Sequence, residues 1–452
     1  MYRQQPSEAT GDRDATPLLT RGPGERIAWF NDRPITVLEY LGHVAALVRE
    51  LPDAPAVINL CADRYRFLVA FGAALARGMP TLLPPNPLAT TLADVAQAWP
   101  GSIVLSDASV SCAGQPPDGS LRAAPPEVSR IPGNRLAAVL YTSGSTGSAQ
   151  PQPKSWTALS AGARINLRPY LGTAVDPVSI VATVPPQHMY GLEATVMLTL
   201  LGRAAAHSAR PLYPADVVAA LEQVPPPRML VSTPVHLSAL LRSGLTLPPL
   251  ERVVSATAPL DAALAAAVEQ RCGAELLEIY GCTEIGSMAA RRASRGERWR
   301  FFAELEARVQ DESTTLRAPH LPAPFDLPDR LHFHADGSFT LLGRHADLIK
   351  IGGKRGSLAE VTRALLAIPG VDDAAAYQLD GGAAATRIAA FYVSDSADVA
   401  TVRAALRRVL DPAFLPRPLR RVAALPRSPT GKLARTALLE LHDRSGPVDH
   451  GD

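Results

Sequence analysis

Two periods take turns along this chain. Thr36 to Leu51 carries apolar residues at helical spacing, Ala56 to Leu60 is a short apolar run, and Tyr65 to Ala76 returns to the helical period. Ser102 to Leu105 continues the series before a Pro- and Ser-rich stretch, Ser106 to Pro132. Strand-like runs follow at Leu136 to Leu140, Ser179 to Val184, Met229 to Ser232, Arg252 to Ser255 and Glu275 to Ile279, with helical segments at Leu192 to Leu201 and Asp261 to Cys272. Strands alternating with helices predict a parallel sheet covered on both faces. Between Ser294 and Pro328 the pattern loosens, and Leu331 to Leu342 alternates around Ala335-Asp336-Gly337, which predicts a hairpin. Beyond it lie a strand-like run at Leu348, a helix from Ser357 to Ile368, a strand from Arg387 to Val393 and a helix from Asp398 to Leu410. The expectation is an α/β protein. The same reading expects a disordered tail over residues 1–24, a large N-terminal domain of parallel-sheet α/β subdomains over 25–342, a hinge at 343–347, and a small, mobile α+β domain over 348–452.

Composition narrows this picture. A chain of 452 residues is too long for one core. With 47% hydrophobic and 19% charged residues it has ordinary globular composition, and a net charge of +2 gives no reason to expect a nucleic-acid partner. No apolar run reaches the roughly 18 residues of a membrane span, and the N-terminus has no apolar core of a signal peptide. Cys61, Cys112, Cys272 and Cys282 form no C-x-x-C pair, which argues against zinc and a disulfide framework and fits a reducing cytoplasm. Of 45 Lys plus Arg, lysine stands only at Lys154, Lys350, Lys354 and Lys432. Lysine in so arginine-rich a chain marks places where a compact ammonium is of use.

The stretch with the most chemistry is Tyr141 to Lys154, YTSGSTGSAQPQPK, directly after the run at Leu136 to Leu140. A strand feeding a hydroxyl- and glycine-rich turn that ends in lysine offers N–H groups, O–H groups and a cation to a polyphosphate. A Walker loop is excluded, because only two residues separate Gly144 from Gly147 and Lys154 lies seven beyond. A flexible Ser/Gly linker is the competing reading of this stretch alone. Two further loops follow strands: Ser255 to Leu260 (SATAPL), small enough for a flat ring to lie on its backbone, and Tyr280 to Ser287 (YGCTEIGS), which carries Thr283 and Glu284. In an open parallel sheet such loops converge beyond the C-terminal strand ends. A carboxylate beside a phosphate loop suits Mg²⁺.

Together these segments resemble the adenylate-forming superfamily of acyl-CoA synthetases, aryl-acid ligases, luciferases and peptide-synthetase adenylation domains, over about Ile35 to Leu438. YTSGSTG is similar to the family's phosphate loop, which implies nucleotide contacts from Thr142, Ser143, Gly144, Ser145, Thr146, Gly147 and Lys154. SATAPL resembles the adenine-side S-G-G-A-P-L, implicating Ala256, Thr257 and Ala258. YGCTE resembles Tyr-Gly-x-Thr-Glu, which implies roles for Tyr280 and Gly281, phosphate contact from Thr283 and metal binding by Glu284. Pro186 to Gly191 is similar to the motif lining the carboxylate pocket, with His188 as the catalytic candidate. Asp329 falls at the ribose-binding position, GRHADLIKIGG looks like the hinge segment with Arg344 beside the nucleotide and Ala346 at the hinge, and LPRSPTGKLART makes Lys432 the catalytic lysine. The chain departs from the family in carrying about four extra residues before Lys154, Leu-Pro-Asp in place of Thr-Gly-Asp, and Ala346 where Asp or Lys is usual.

The resemblance implies an ATP- and Mg²⁺-dependent acid–thiol ligase. It forms an acyl adenylate and passes the acyl group to the phosphopantetheine of an acyl carrier protein or of CoA. A small aromatic acid such as a hydroxybenzoate is expected from a pocket with His188, Tyr190, Cys282 and Met288, in loose similarity to ligases of aryl-polyene and xanthomonadin-type pigment pathways. Five arginines between Arg291 and Arg300 favour an acidic carrier over free CoA. The alternatives are a medium- or long-chain fatty acyl-CoA synthetase, or a non-catalytic sensor of acyl adenylates or nucleotides.

Overall fold

The computed structural model describes residues 15–112, 130–143, 149–173, 176–311, 313–344, 348–351, 354–379, 387–427, 433 and 435–444. Two compact units divide the chain. The first holds residues up to Gly296 with Phe301–Leu305 and Ala318–Ala323, and the second holds Glu297–Arg300, Glu306–Arg317 and the chain from Pro324.

The first unit contains two mainly parallel sheets. One has the strand order Ile103–Leu105, Val57–Asn59, Thr81–Leu83, Leu136–Ser143, with Ala149–Ser155 antiparallel at its edge. The other runs Arg33–Thr36, Arg26–Phe30, Ala204–His207, Val178–Ala182, Arg228–Ser232, Arg252–Ser255, Glu275–Cys282, Gly286–Arg291. Its five successive strands from Arg26–Phe30 to Arg252–Ser255, and Glu275–Cys282 next to them, are parallel. Two pairs, Glu275–Cys282 with Gly286–Arg291 and Arg26–Phe30 with Arg33–Thr36, are antiparallel. The strand–helix alternation read from the sequence therefore produces the expected α/β architecture.

Between the sheets lies the helix Arg64–Ala76, capped by the Asp63 side chain and buried along nearly all of its length. Such a helix is apolar all round, as RYRFLVAFGAALA is after its first turn. Helix Val37–Glu50 starts on a reciprocal capping box: Glu39 N donates to the Thr36 hydroxyl, and Thr36 N donates to the Glu39 carboxylate.

The phosphate-loop stretch differs from its sequence reading. The strand runs on to Ser143, and Ala149–Ser155 returns antiparallel to it, so only residues 144–148 connect the two. Pro151 and Pro153, which read as loop residues, sit two apart and so share one side of an edge strand, where missing N–H groups are tolerated. Lys154 is thus a strand residue, directly before Ser155, the cap of helix Trp156–Leu171. It is no displaced end of a phosphate loop.

The second unit is α+β. It contains the hairpin Asp329–Phe333 with Phe339–Arg344, the strand pair Leu348–Ile351 with Lys354–Ser357, and a sheet of Asp373–Leu379, Arg387–Val393 and Leu419–Arg421. Helices Leu358–Leu366, Val399–Val409 and Arg435–Arg444 accompany them. The loosely patterned stretch before the hairpin forms the small antiparallel sheet Glu306–Gln310, Ser313–Arg317, Phe325–Asp326.

Candidate active site

Parallel strands end on one edge, so the second sheet places the segments after Ala182, His207, Ser232, Ser255 and Cys282 together. Strand order reverses at Val178–Ala182: the chain goes outward to Ala204–His207 and then back across to Arg228–Ser232. That reversal is where an open α/β sheet leaves a ligand crevice. The segment Thr183 to His188 leaves the sheet there.

A buried arginine braces this edge. The Arg64 guanidinium donates to the carbonyls of Ala182 (3.1 Å), Val184 (2.8 Å), His207 (3.0 Å) and Ala209 (2.9 Å). Burial lowers its pKa to about 10. Polar side chains crowd the neighbouring strand ends. Thr183 and Ser232 share a hydrogen bond of 3.0 Å, and Thr183 and Thr233 both meet His236 Nδ1, at 3.3 and 2.9 Å. His188 is half-buried and opens the short helix Met189–Gly191.

Tyr190 does something other than expected. Its hydroxyl donates to Val254 O (3.0 Å) and Ser232 O (3.3 Å), and burial raises its pKa well above the usual range. It ties two strand ends together and offers no polar tip to a substrate. Met288 is likewise fully buried, while Cys282 is half-buried with its thiol pushed up to about 12 by desolvation.

The loop expected on the adenine side carries a strained residue. Thr257 has φ of 81°, a conformation that strains a β-branched residue by roughly 1–3 kcal/mol. Ser255 Oγ and Thr257 Oγ1 are buried without a hydrogen-bond partner among the described residues. Buried hydroxyls with nothing to bond are unusual, and they fit a loop whose partner is a bound nucleotide. Ala256 is buried and Ala258 half-exposed beside them. The far end of the loop is pinned: Leu260 N donates to Glu278 (2.9 Å), and Glu278 holds Arg291 at 2.6 Å. Desolvation raises the Glu278 pKa against the pull of Arg291.

The turn Cys282–Gly286 joins the last parallel strand to its antiparallel partner, Gly286–Arg291. It presents Thr283, buried, and Glu284, half-buried, next to Gly281 and Tyr280 at the strand end. No cluster of three His, Cys, Asp or Glu suited to a metal occurs among the described residues. The turn offers the carboxylate of Glu284, and one carboxylate suits Mg²⁺, which completes its shell from phosphate oxygens and water.

Behind this turn lies a polar group of which the sequence singled out only Lys154. Lys154 Nζ donates to Glu284 O, His320 Nε2 donates to Ile285 O (2.9 Å), and Ser287 N and Oγ both donate to the Glu193 carboxylate (2.8 Å each). Lys154 was expected among the phosphate contacts, yet its ammonium is buried against backbone.

In the second unit Asp329 opens its strand, half-buried, with Arg344 Nε 3.7 Å from its carboxylate. Lys354 is paired with Asp411 at 2.6 Å. Gly144, Ser145, Thr146, Gly147, Ala346 and Lys432 lie outside the described residues, as do the side chains of Thr142, Ser143 and Lys350.

The family of AMP-binding enzymes matches residues 57–319, more than half of the chain and the whole span that carries these loops. The chain belongs to the AMP-binding enzyme family. The resemblance read from YTSGSTG, SATAPL and YGCTE is thereby borne out. This AMP-binding enzyme is 32% identical over 299 residues to a 4-coumarate–CoA ligase of Rhodobacter capsulatus, spanning 65% of this chain and 74% of that protein. Among solved structures, ATP-bound MatB from Rhodopseudomonas palustris matches with a TM-score of 0.75 at 20% identity, covering 93% of this chain and 96% of that one. The o-succinylbenzoate CoA synthetase (MenE) from Bacillus subtilis in complex with OSB-AMP matches with a TM-score of 0.73 at 18% identity, covering 92% and 95%. Likeness at such identity speaks for the fold.

Proposed function

We propose that this AMP-binding enzyme joins a carboxylic acid to ATP as an acyl adenylate, releasing pyrophosphate, and then passes the acyl group to a phosphopantetheine thiol. The observation that carries this reading is the convergence of three loops on one edge of the parallel sheet: Thr183 to His188, Ala256 to Leu260, and Cys282 to Gly286. The adenine ring lies on Ala256 to Ala258, and Thr283 meets phosphate. Glu284 holds Mg²⁺, which when bound neutralises phosphate charge and orients its oxygens. The residues 144–147 add backbone donors and Lys432 a cation at the α-phosphate, where developing charge is best met by preorganised groups. The small C-terminal domain turns about 343–347 between the two half-reactions, so that Lys432 serves only the first.

The acid is a small aromatic one. Its support is the name of the 32% identical relative, a 4-coumarate–CoA ligase, and the polar side chains gathered at the strand reversal. With the Tyr190 hydroxyl bonded to strand carbonyls, His188 and the Thr183–Ser232–His236 group are left to recognise the polar end of the acid.

The thiol is CoA in preference to a carrier protein. The relative's name supports CoA, and four of the five arginines of the segment already face carboxylates of this chain. Arg291 is held by Glu278, Arg292 by Glu269 at 2.7 and 3.1 Å, and Arg298 and Arg300 by Asp336.

Pyrophosphate exchange over benzoates, cinnamates and fatty acids, followed by mass detection of the CoA thioester, tests the proposal. Exchange with benzoates or cinnamates and a thioester of the same acid is the expected result. Exchange with no carboxylate overturns the activity, and exchange confined to long-chain fatty acids overturns the aromatic acid.

A further inference from the structure

Three backbone groups in one turn and at the start of the strand that follows it are gripped by three buried side chains from separate parts of the first unit. Lys154, on the edge strand Ala149–Ser155, holds Glu284 O. His320 holds Ile285 O at 2.9 Å. Glu193 takes both Ser287 N and Ser287 Oγ at 2.8 Å, and the Tyr170 hydroxyl, from helix Trp156–Leu171, donates to the same Ser287 Oγ at 2.9 Å. The exposures of Lys154, Glu193 and His320 are 8, 4 and 7%.

Such an arrangement is expensive to build. Glu193 is the one charged residue of MYGLEATVMLTLL, and it stands in a π-helical turn, Leu192–Met197, a form that recurs at functional sites. Burial raises its pKa and lowers that of Lys154, each partly offset by the other's charge. Gly286 gives Glu193 room: it has φ of 96°, and a Cβ there would stand 2.3 Å from Glu193 Oε1. A buried carboxylate and ammonium contribute little net stability compared with apolar residues of the same volume. What they do supply is direction, because each hydrogen bond fixes a backbone group of the turn.

We propose that Lys154, Glu193 and His320 are positioning residues that fix the backbone of the Thr283–Glu284 turn from behind, so that the Glu284 carboxylate is held ready for Mg²⁺ and Thr283 for phosphate. The proposal rests on the reading that Glu284 binds the metal of Mg-ATP. Residues behind a metal ligand that orient it typically carry ten- to a hundredfold in metal affinity or rate, about the effect expected here.

The test uses the full chain with Lys154→Met, Glu193→Gln and their double variant, and Ser287→Ala and Tyr170→Phe as milder changes that remove a single hydroxyl. Binding of ATP is followed by calorimetry across a Mg²⁺ series, and pyrophosphate exchange gives kcat and KM for Mg-ATP and for the acid. Each charged-residue variant is expected to need about tenfold more Mg²⁺ for half-maximal ATP binding, with the KM of the acid unchanged. The double variant should be no worse than the poorer single one, because both act on the same turn. Ser287→Ala and Tyr170→Phe should move in the same direction by a smaller factor, and they decide the matter if the charged-residue variants do not fold. Parental Mg²⁺ dependence, kcat and KM in all folded variants, with only a lower melting temperature, would make the cluster a packing feature and overturn the proposal. Absence of Mg²⁺-dependent ATP binding by the parental chain removes the functional reading beneath it, and is seen before any variant is compared.

Discussion

Replacing Arg64 by Met tests how much of the site edge depends on one buried cation. The substitution keeps the length and apolar stem of the side chain but strips the donors from the carbonyls of Ala182, Val184, His207 and Ala209. Ala209 is exposed and its carbonyl can turn to water, whereas the other three residues are buried. A buried acceptor left unmade costs about 1–3 kcal/mol, so the three together cost roughly 6 kcal/mol at mid-range. Against this stands the relief of no longer burying a cation. Desolvation moves the Arg64 pKa from 12.5 to about 10, and at about 1.4 kcal/mol per pH unit the relief is roughly 3 kcal/mol. The net is a loss of about 3 kcal/mol, or a fall in melting temperature of about 5 °C for a unit of this size. Urea unfolding of Arg64→Met beside the parental chain measures it. Arg64→Lys is the control: it keeps the charge but cannot reach four carbonyls as a planar fork does, and should recover only part of the loss. Stability of Arg64→Met within 1 kcal/mol of parental would refute the arithmetic and the bracing role with it.

Three further outcomes follow from the same geometry. Arg291→Glu places a second carboxylate against Glu278, so the variant should lose about 3–5 kcal/mol in urea unfolding and fail alike with CoA and with a carrier protein; unchanged stability with loss on the carrier alone would return the segment to a docking role. Burial lowers the pKa of His207, His236 and His320, so below pH 6.5 the unfolded chain binds protons that the folded chain refuses. Stability should then fall with decreasing pH by up to about 1.4 kcal/mol per unit for each histidine, and urea midpoints that stay flat from pH 8 to 5 would contradict this. Lys432→Ala should lose about 10² to 10³ in adenylate formation yet convert a supplied acyl adenylate to thioester at the parental rate; equal loss in both half-reactions would end the division of labour proposed for the small domain.

Much of the fold was legible because local signals agreed with it. Thr36 and Glu39 stand three apart before an apolar helical period, and the helix starts there on a capping box. Arg252–Ser255 is short, has two valines at its centre and is followed by small residues, and the structure keeps the same bounds. Other elements gave no such signal. Ala204–His207 is AAAH, three alanines with little strand preference, and it is a strand because it lies between Arg26–Phe30 and Val178–Ala182. Ala149–Ser155 carries two prolines, a local sign against a strand that holds for central positions and fails at an edge. In both cases the sheet's neighbours decided, and neighbours are not written in a local window.

The candidate site divides in the same way. The residues proposed to meet the nucleotide from loops after parallel strands follow the chain in short motifs, which is why Thr257, Thr283 and Glu284 were legible. Residues that hold those loops come from far along the sequence: Lys154 reaches Glu284 across 130 positions, Glu193 reaches Ser287 across 94, and Arg64 reaches Ala209 across 145. Nothing in the motif around Ser287 announces its carboxylate partner. One weak signal did exist, since a lone glutamate inside MYGLEATVMLTLL must either be exposed or be matched by buried donors. Periodicity cannot choose between the two, because the stretch is apolar on every side. The lysine economy was the complementary signal. It marked Lys154 as a place where an ammonium is needed, but phosphate and a backbone carbonyl call for the same group, and only the burial of the strand end tells them apart.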